Sequence, residues 1–259
     1  MRFLKWLVCG LVISAAAQGA SAKGADRWIQ SWGAAPAGTT AAPGVNPMGF
    51  APGFENQTII QVVRLSAGGG RLRVRFSNEY GSTPLRIGAA QVTQLNARGE
   101  AVPGGKPLTF SGKPSATIPP GAPLLSDPVE LQTASLAKLQ VAIYLPEKVM
   151  LCTCHQNGAQ KAFVSPPGDF TEKSLAAAAG ATVVPYRAFL TGVEVEAGPA
   201  PVIVAFGDSI TDGYRASDDA DRRWPDRLAE RLLSGAGSRP IGVVNAGISG
   251  NRVLNEGRV

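Results

Sequence analysis

Between Thr58 and Glu196 the apolar positions recur at strand spacing, not at helical spacing. Thr58 to Leu65 (TIIQVVRL) and Arg71 to Phe76 (RLRVRF) flank Gly68-Gly69-Gly70, and the second alternates arginine with apolar residues, as a strand with one wet face does. The pair predicts a hairpin. Leu85 to Leu95, Lys138 to Leu145 and Tyr186 to Glu196 continue the pattern, with Pro107, Pro114, Pro119, Pro120, Pro123 and Pro128 at edges and turns. Many short strands without helical periodicity predict an antiparallel β-sandwich. Residues 174–180 (SLAAAAG) read equally as a short helix or a small-residue loop, and the Pro/Gly/Ala/Thr-rich stretch 34–53 reads as a long loop.

After Gly198-Pro199-Ala200-Pro201 the pattern changes in kind. Val202 to Phe206 (VIVAF) is wholly apolar, Trp224, Leu228 and Leu232 recur at helical spacing, and Ile241 to Val244 is a second apolar run. Strand, helix, strand with both strands apolar throughout is the βαβ pattern of a parallel sheet covered on both faces. Pro225 suits the first helical turn, where its missing N–H loses nothing. The chain therefore divides into residues 1–22, a β-sandwich-like domain over 23–198 and the beginning of an α/β domain over 199–259. Two strands and one helix cannot cover both faces of a sheet, so the VVNAGI strand is expected to present an unpaired apolar edge. The segment is expected to be poorly ordered, docked on the sandwich, or completed by further sequence, with proteolysis cutting first near 198–201.

Composition narrows the class. The 259 residues are 44% hydrophobic and 17% charged, a globular balance, and Gly 31 with Pro 20 fits turn-rich β structure. Arg2 and Lys5 precede an apolar run from Trp6 to Ala17, and Gln18 to Ala22 ends in the small-x-small pattern of a signal-peptidase site. A secreted or periplasmic protein cleaved near Ala22 is expected. The run is shorter than the ~20 apolar residues that span a bilayer, which speaks against a stable membrane anchor. Without residues 1–22 the net charge falls from +6 to +4, and no Lys/Arg cluster tracks phosphates, so nucleic acid is not an expected partner.

Cys152 and Cys154 remain beyond that segment, and the only histidine stands beside them in Cys152-Thr153-Cys154-His155. Zinc requires a fourth ligand in tetrahedral arrangement, and no second Cys or His cluster supplies one. Neither metal nor cofactor is expected. A tight Cys152–Cys154 disulfide is the preferred reading, with an intermolecular bridge open as the alternative.

The candidate chemistry follows VIVAF directly, in Gly207-Asp208-Ser209-Ile210-Thr211-Asp212-Gly213-Tyr214. Open parallel sheets bind ligands outside the carboxyl ends of their strands, so Ser209 sits where a nucleophile belongs. Gly207 lets the backbone turn sharply, and the Ser209 N–H can then face a carbonyl oxygen held over the hydroxyl. The second strand ends in a matching glycine-rich loop, Asn245-Ala246-Gly247-Ile248-Ser249-Gly250-Asn251, beside Ser209 for a right-handed crossover. Gly250 is thus a candidate second N–H donor. Neither loop has the glycine spacing of a dinucleotide fingerprint, and no Gly-Lys-Ser/Thr phosphate loop occurs.

These blocks resemble the SGNH (GDSL) hydrolase superfamily of secreted esterases and lipases. GDSITDGY is similar to its first block, with Ser209 at the nucleophile, and VVNAGISGN to its second, with Gly250 at the oxyanion glycine. RRWPDRLAERL between them, and the β-rich stretches from Trp28 to Pro36 and from Arg73 to Val92, are similar to family members too. The resemblance implies an α/β fold with a flavodoxin-like parallel sheet, incomplete here. It also implies hydrolysis of a small-molecule, carbohydrate or lipid ester. In the family a third block supplies an oxyanion Asn and a later Asp-x-x-His supplies the base. No histidine follows Ser209, Asn251 and Asn255 do not match the third block, and His155 lies upstream in the sandwich segment. The sequence reads as the front half of an esterase, expected to be nearly inert by itself. The competing reading is a secreted, non-catalytic β-sandwich that binds carbohydrate or protein, using Trp28, Trp32, Tyr80, Tyr144 or Tyr186 for stacking, although aromatics at strand positions more often fill cores.

Overall fold

The computed structural model describes residues 28–38, 53–150, 152–156, 158–173, 180–235 and 239–254. The signal-peptide reading of residues 1–22, most of the 34–53 loop and the 174–179 stretch lie outside the described residues.

Strands dominate, in two antiparallel sheets that share one apolar core, an arrangement consistent with a β-sandwich. One sheet runs Trp28–Gly33, Leu190–Glu196, Gly69–Ser77 and Val129–Thr133, with Pro123–Leu125 also paired to Gly69–Ser77. The other runs Thr182–Val184, Ala162–Pro167, Gln57–Arg64, Lys138–Leu145, Ala89–Leu95 and Lys106–Pro107. Leu72, Val74, Phe76 and Val193 from the first sheet meet Ile59, Val63, Val141 and Ile143 from the second in the core. Ile143 is fully enclosed, so Ile143→Ala leaves a cavity, and a loss of about 2–5 kcal/mol in urea unfolding is the expected outcome.

The predicted hairpin around Gly68–Gly70 does not form. Gln57–Arg64 and Gly69–Ser77 belong to different sheets. The connection is an arch through the interior: Leu65 and Ala67 are buried, Ser66 N donates to Ser31 O at 2.9 Å, and Ser31 Oγ donates to Ala67 O at 2.7 Å. Period-two alternation identifies a strand but carries no information about its partner. Two other predicted strands are broken in the same way. Leu85–Ile87 and Ala89–Leu95 part at Gly88, and Tyr186–Ala188 and Leu190–Glu196 part at Phe189, which has φ +62. Each half then joins a separate sheet. The strand Lys138–Leu145 has the predicted limits.

Tyr186–Ala188 pairs with Thr153–Gln156, which pairs with Ala37–Gly38, and His155 of this three-stranded sheet reaches Asp212 of the C-terminal segment. Cys152 and Cys154 are joined as a disulfide at the start of its middle strand. The C-terminal segment is a single βαβ unit, in which Val202–Gly207 and Gly242–Gly247 pair in parallel around the helix Trp224–Leu233. Docking on the β-rich region, one of the states expected for it, is found. Val243 N donates to Ser66 Oγ at 2.8 Å, Arg64 pairs with Glu230 at 3.0 Å, and Lys138 pairs with Asp221 at 2.6 Å. Gly33 permits the close approach, because a Cβ there would stand 2.6 Å from Val244 Cγ1.

Among the described residues the VVNAGI strand pairs only with Val202–Gly207, as expected, but docking covers its apolar side chains. Val243 and Val244 of the VVNAGI strand are buried, and the open surface belongs to the preceding strand, where Val204 is 58% and Phe206 80% exposed. The helix also turns a different side inward than its apolar spacing suggests. Pro225 and Ala229 are buried while Trp224 is exposed, its indole N–H held by Thr211 Oγ1 at 3.3 Å. Among the described residues no helix is long and apolar enough to cross a membrane.

Candidate active site

The parallel pair aligns the two glycine loops. Its register ends with Gly207 opposite Gly247, so the chain leaves both strands side by side at one end of the sheet. Two residues beyond Gly207, Ser209 opens a one-turn helix, Ser209–Asp212, whose N-cap Asp208 accepts from Ile210 N at 2.9 Å. Gly213 closes the turn with φ +112, and a side chain there would also strike Arg223, so glycine is required twice over. Three residues beyond Gly247, Gly250 takes φ +91 in the second loop. Ser209 and Gly250 are both half-buried, and neither backbone N–H has a partner among the described residues.

The loops are interlocked by polar contacts that their spacing does not announce. Ile248 N donates to Gly207 O at 3.0 Å, Asn245 Nδ2 donates to Thr211 O at 2.8 Å, and Asn245 Oδ1 accepts from Gly247 N at 2.9 Å. Asp212 is the centre of the arrangement. Its side chain is 1% exposed, and Oδ2 accepts from both Ser249 N at 3.1 Å and Ser249 Oγ at 2.7 Å. Its other oxygen, Oδ1, lies 2.8 Å from His155 Nε2, while His155 Nδ1 lies 2.8 Å from Ala35 O. His155 is 7% exposed.

His155 therefore does reach the first block from the sandwich, but to Asp212 and not to Ser209. Both ring nitrogens are committed, so the imidazole has no lone pair left to accept a serine proton. The Cys152-Thr153-Cys154-His155 cluster holds no metal-ligand set either, since both thiols are consumed in the disulfide.

A second polar chain runs beside this one. Arg187, the cross-strand partner of His155, donates from Nη2 to Gln160 Oε1, and Gln160 Nε2 donates to Asp221 Oδ1 at 2.7 Å. Burial pushes the Arg187 guanidinium down to about 9, Arg223 adds to the effect, and Asp219 and Asp221 oppose it. A cleft of about 570 Å³ opens beyond Gly213, between Lys161 and Val183 of the sandwich and Tyr214 and Arg215 of the C-terminal segment. Neither Ser209 nor Gly250 lines it. Of the aromatics considered for stacking, Trp32 and Tyr186 are buried, Trp28 lies under Arg71 and Arg73, Tyr144 is half-buried with its hydroxyl on Asn56, and Tyr80 is 54% exposed.

With this geometry in view, comparison with known families adds one finding. Residues 205–259 match the model of the GDSL-like Lipase/Acylhydrolase family. The match begins inside the first parallel strand and takes in both glycine loops, so the GDSL-like segment includes the strand Gly242–Gly247 that packs against Trp28–Gly33. Comparison with curated proteins finds no match for the chain.

Sequence reasoning singled out Ser209 and Gly250, set His155 aside both as a metal ligand and as the base, and gave no role to Asp212, Ser249 or Asn245. Asp212 is three residues past Ser209, a spacing that is informative only once Ser209–Asp212 is known to be helical. The connection of His155 to the GDSL-like segment is a tertiary contact across 57 residues, which no local pattern carries.

Proposed function

We propose that this chain is a secreted serine hydrolase of carboxylic esters, with Ser209 as nucleophile and the N–H groups of Ser209 and Gly250 as the oxyanion hole. The observation that carries the reading is the Gly207–Gly247 register, which sets the two loops side by side with both N–H groups unpartnered among the described residues. In the reaction the Ser209 oxygen adds to the ester carbonyl carbon, its proton passes to solvent water, and the carbonyl oxygen takes the negative charge beside the two N–H donors. Collapse expels the alcohol, and water then hydrolyses the acyl-serine. The one histidine of the sequence is engaged with Ala35 and Asp212, so the proton has no imidazole to go to within these residues. Loss of triad members lowers turnover by about 10⁶ in a serine protease, leaving roughly 10³ over water from binding and the oxyanion hole. Slow acylation follows for the 259-residue chain.

The test is incubation of the purified protein and Ser209→Ala with an aryl acetate, with peptide mass spectrometry beside the rate measurement. An acetyl adduct on Ser209, absent from the variant, with phenol release at most about 10³ above water, is the expected result. Equal rates and no adduct would remove Ser209 from the chemistry. Rapid turnover abolished by the substitution would show that a base is already in place. Secretion is checked by sequencing the exported protein, whose first residue should be Lys23. A carbohydrate-binding module has less to draw on, since Tyr80 alone of the candidate stacking residues stands out from the surface as a large exposed aromatic.

A further inference from the structure

The single histidine is buried, bonded on both sides, and unused by the acylation step. Ala35 O can only accept, so Nδ1 carries a hydrogen; Nε2 faces a carboxylate oxygen, so a proton lies in that contact as well. Asp212 Oδ1 is thereby fixed by the sandwich, and its other oxygen is left to gather Ser249 N and Ser249 Oγ. Rotation of the carboxylate would break both sets of bonds together. The imidazole itself is held firmly: its strand is paired on both edges and begins at the Cys152–Cys154 disulfide.

We propose that His155 is a positioning residue, which acts through Asp212 to hold the Ser249–Gly250 turn at the distance from Ser209 that an oxyanion hole requires. The relevance to ester hydrolysis rests on the function proposed above; the mechanical coupling from sandwich to turn does not. Side-chain supports of this kind matter because donors that are off by an ångström lose much of their effect on developing charge.

Asparagine and glutamine separate the two ring nitrogens. The amide nitrogen of His155→Asn falls near Nδ1 and keeps Ala35, whereas that of His155→Gln falls near Nε2 and keeps Asp212. Backbone amide exchange at Ser249, whose N–H Asp212 holds, reads the turn directly, and acetyl adduct formation at Ser209 reads the chemistry. Positioning through Asp212 gives exchange in His155→Gln close to that of the unsubstituted protein and roughly tenfold faster exchange in His155→Asn, the scale of one hydrogen bond lost. Variants that exchange alike, or the reverse ranking, overturn the proposal, because then filling the site or holding Ala35 is what counts. Should neither variant fold, nitrogen-labelled histidine in the unsubstituted protein decides: a protected proton in the Nε2 to Asp212 contact supports the coupling and its absence refutes it. Absence of any Ser209 adduct, with the exchange ranking as expected, would sink the hydrolase reading and leave the coupling standing.

Discussion

Replacing Gly247 by alanine should drive the two glycine loops apart. A Cβ at this position would fall on the backbone nitrogen of Asp212 and within 2.9 Å of both the Asp212 Cα and the Thr211 carbonyl carbon. All of these are main-chain atoms of the nucleophile helix, so no side-chain rotation relieves the collision. Overpacking in a filled interior raises the energy by about 1–3 kcal/mol, and a clash with backbone belongs at the upper end. The predicted response is movement of the helix Ser209–Asp212 away from the second strand. That stretches the Asn245 contact to Thr211 O and the Ile248 contact to Gly207 O, and it displaces Ser209 from Gly250. Thermal unfolding and Ser209 acylation should both deteriorate. Ala246→Gly, one residue before and half-buried, serves as the comparison. Undiminished stability together with undiminished acylation in Gly247→Ala would mean that the loops are not packed as described.

How much of this was readable beforehand depends on the range of the interaction responsible. Lys138–Leu145 was legible to the residue, because both of its neighbours in the sheet are full-length partners and its core side alternates Leu139, Val141, Ile143 and Leu145. The division of the strand at Phe189 was not. An aromatic residue in the left-handed region is rarely anticipated from local preference, and it persists here because Phe189 is buried against Phe54 and its N–H and C=O are taken by Thr153 and Ser77. The same holds at the site. Ser209 and Gly250 follow from strand ends and glycine placement, which are local. Asp212 and His155 follow from how the sandwich meets the GDSL-like segment, and a 57-residue separation hides that from any periodicity.

Beside the apolar packing of Val243 and Val244, the interface between the two parts carries several polar contacts, and these shape its response to mutation. Lys138–Asp221 and Arg64–Glu230 cross it at partly exposed positions, and Arg223 to Gly158 O, Arg187–Gln160–Asp221 and His155–Asp212 cross it in the interior. Buried polar contacts of this sort contribute little net energy when complete and a large penalty when half-removed. The docked geometry is therefore specified sharply without being held strongly, and single deletions should be far more damaging than paired ones.

Asp212→Ala is the sharpest case. It deletes at one stroke the acceptor for His155 Nε2, for Ser249 N and for Ser249 Oγ, in a site from which water is nearly excluded. Removing one member of a buried charged pair costs about 3–5 kcal/mol, most of it the penalty of the partner left behind. At roughly 2–4 °C per kcal/mol for a chain of this size, the melting temperature should fall by about 6–20 °C. The double replacement His155→Leu with Asp212→Leu removes the stranded polar ring as well and should lose less than Asp212→Ala alone, a non-additivity that a double-mutant cycle measures directly. The Ser249 donors remain unpaired in both proteins, so recovery is partial and acylation of Ser209 stays impaired even where stability returns. A double variant as unstable as the sum of its single changes would show that His155 and Asp212 are independent, and that the sandwich does not govern the loop beside the nucleophile.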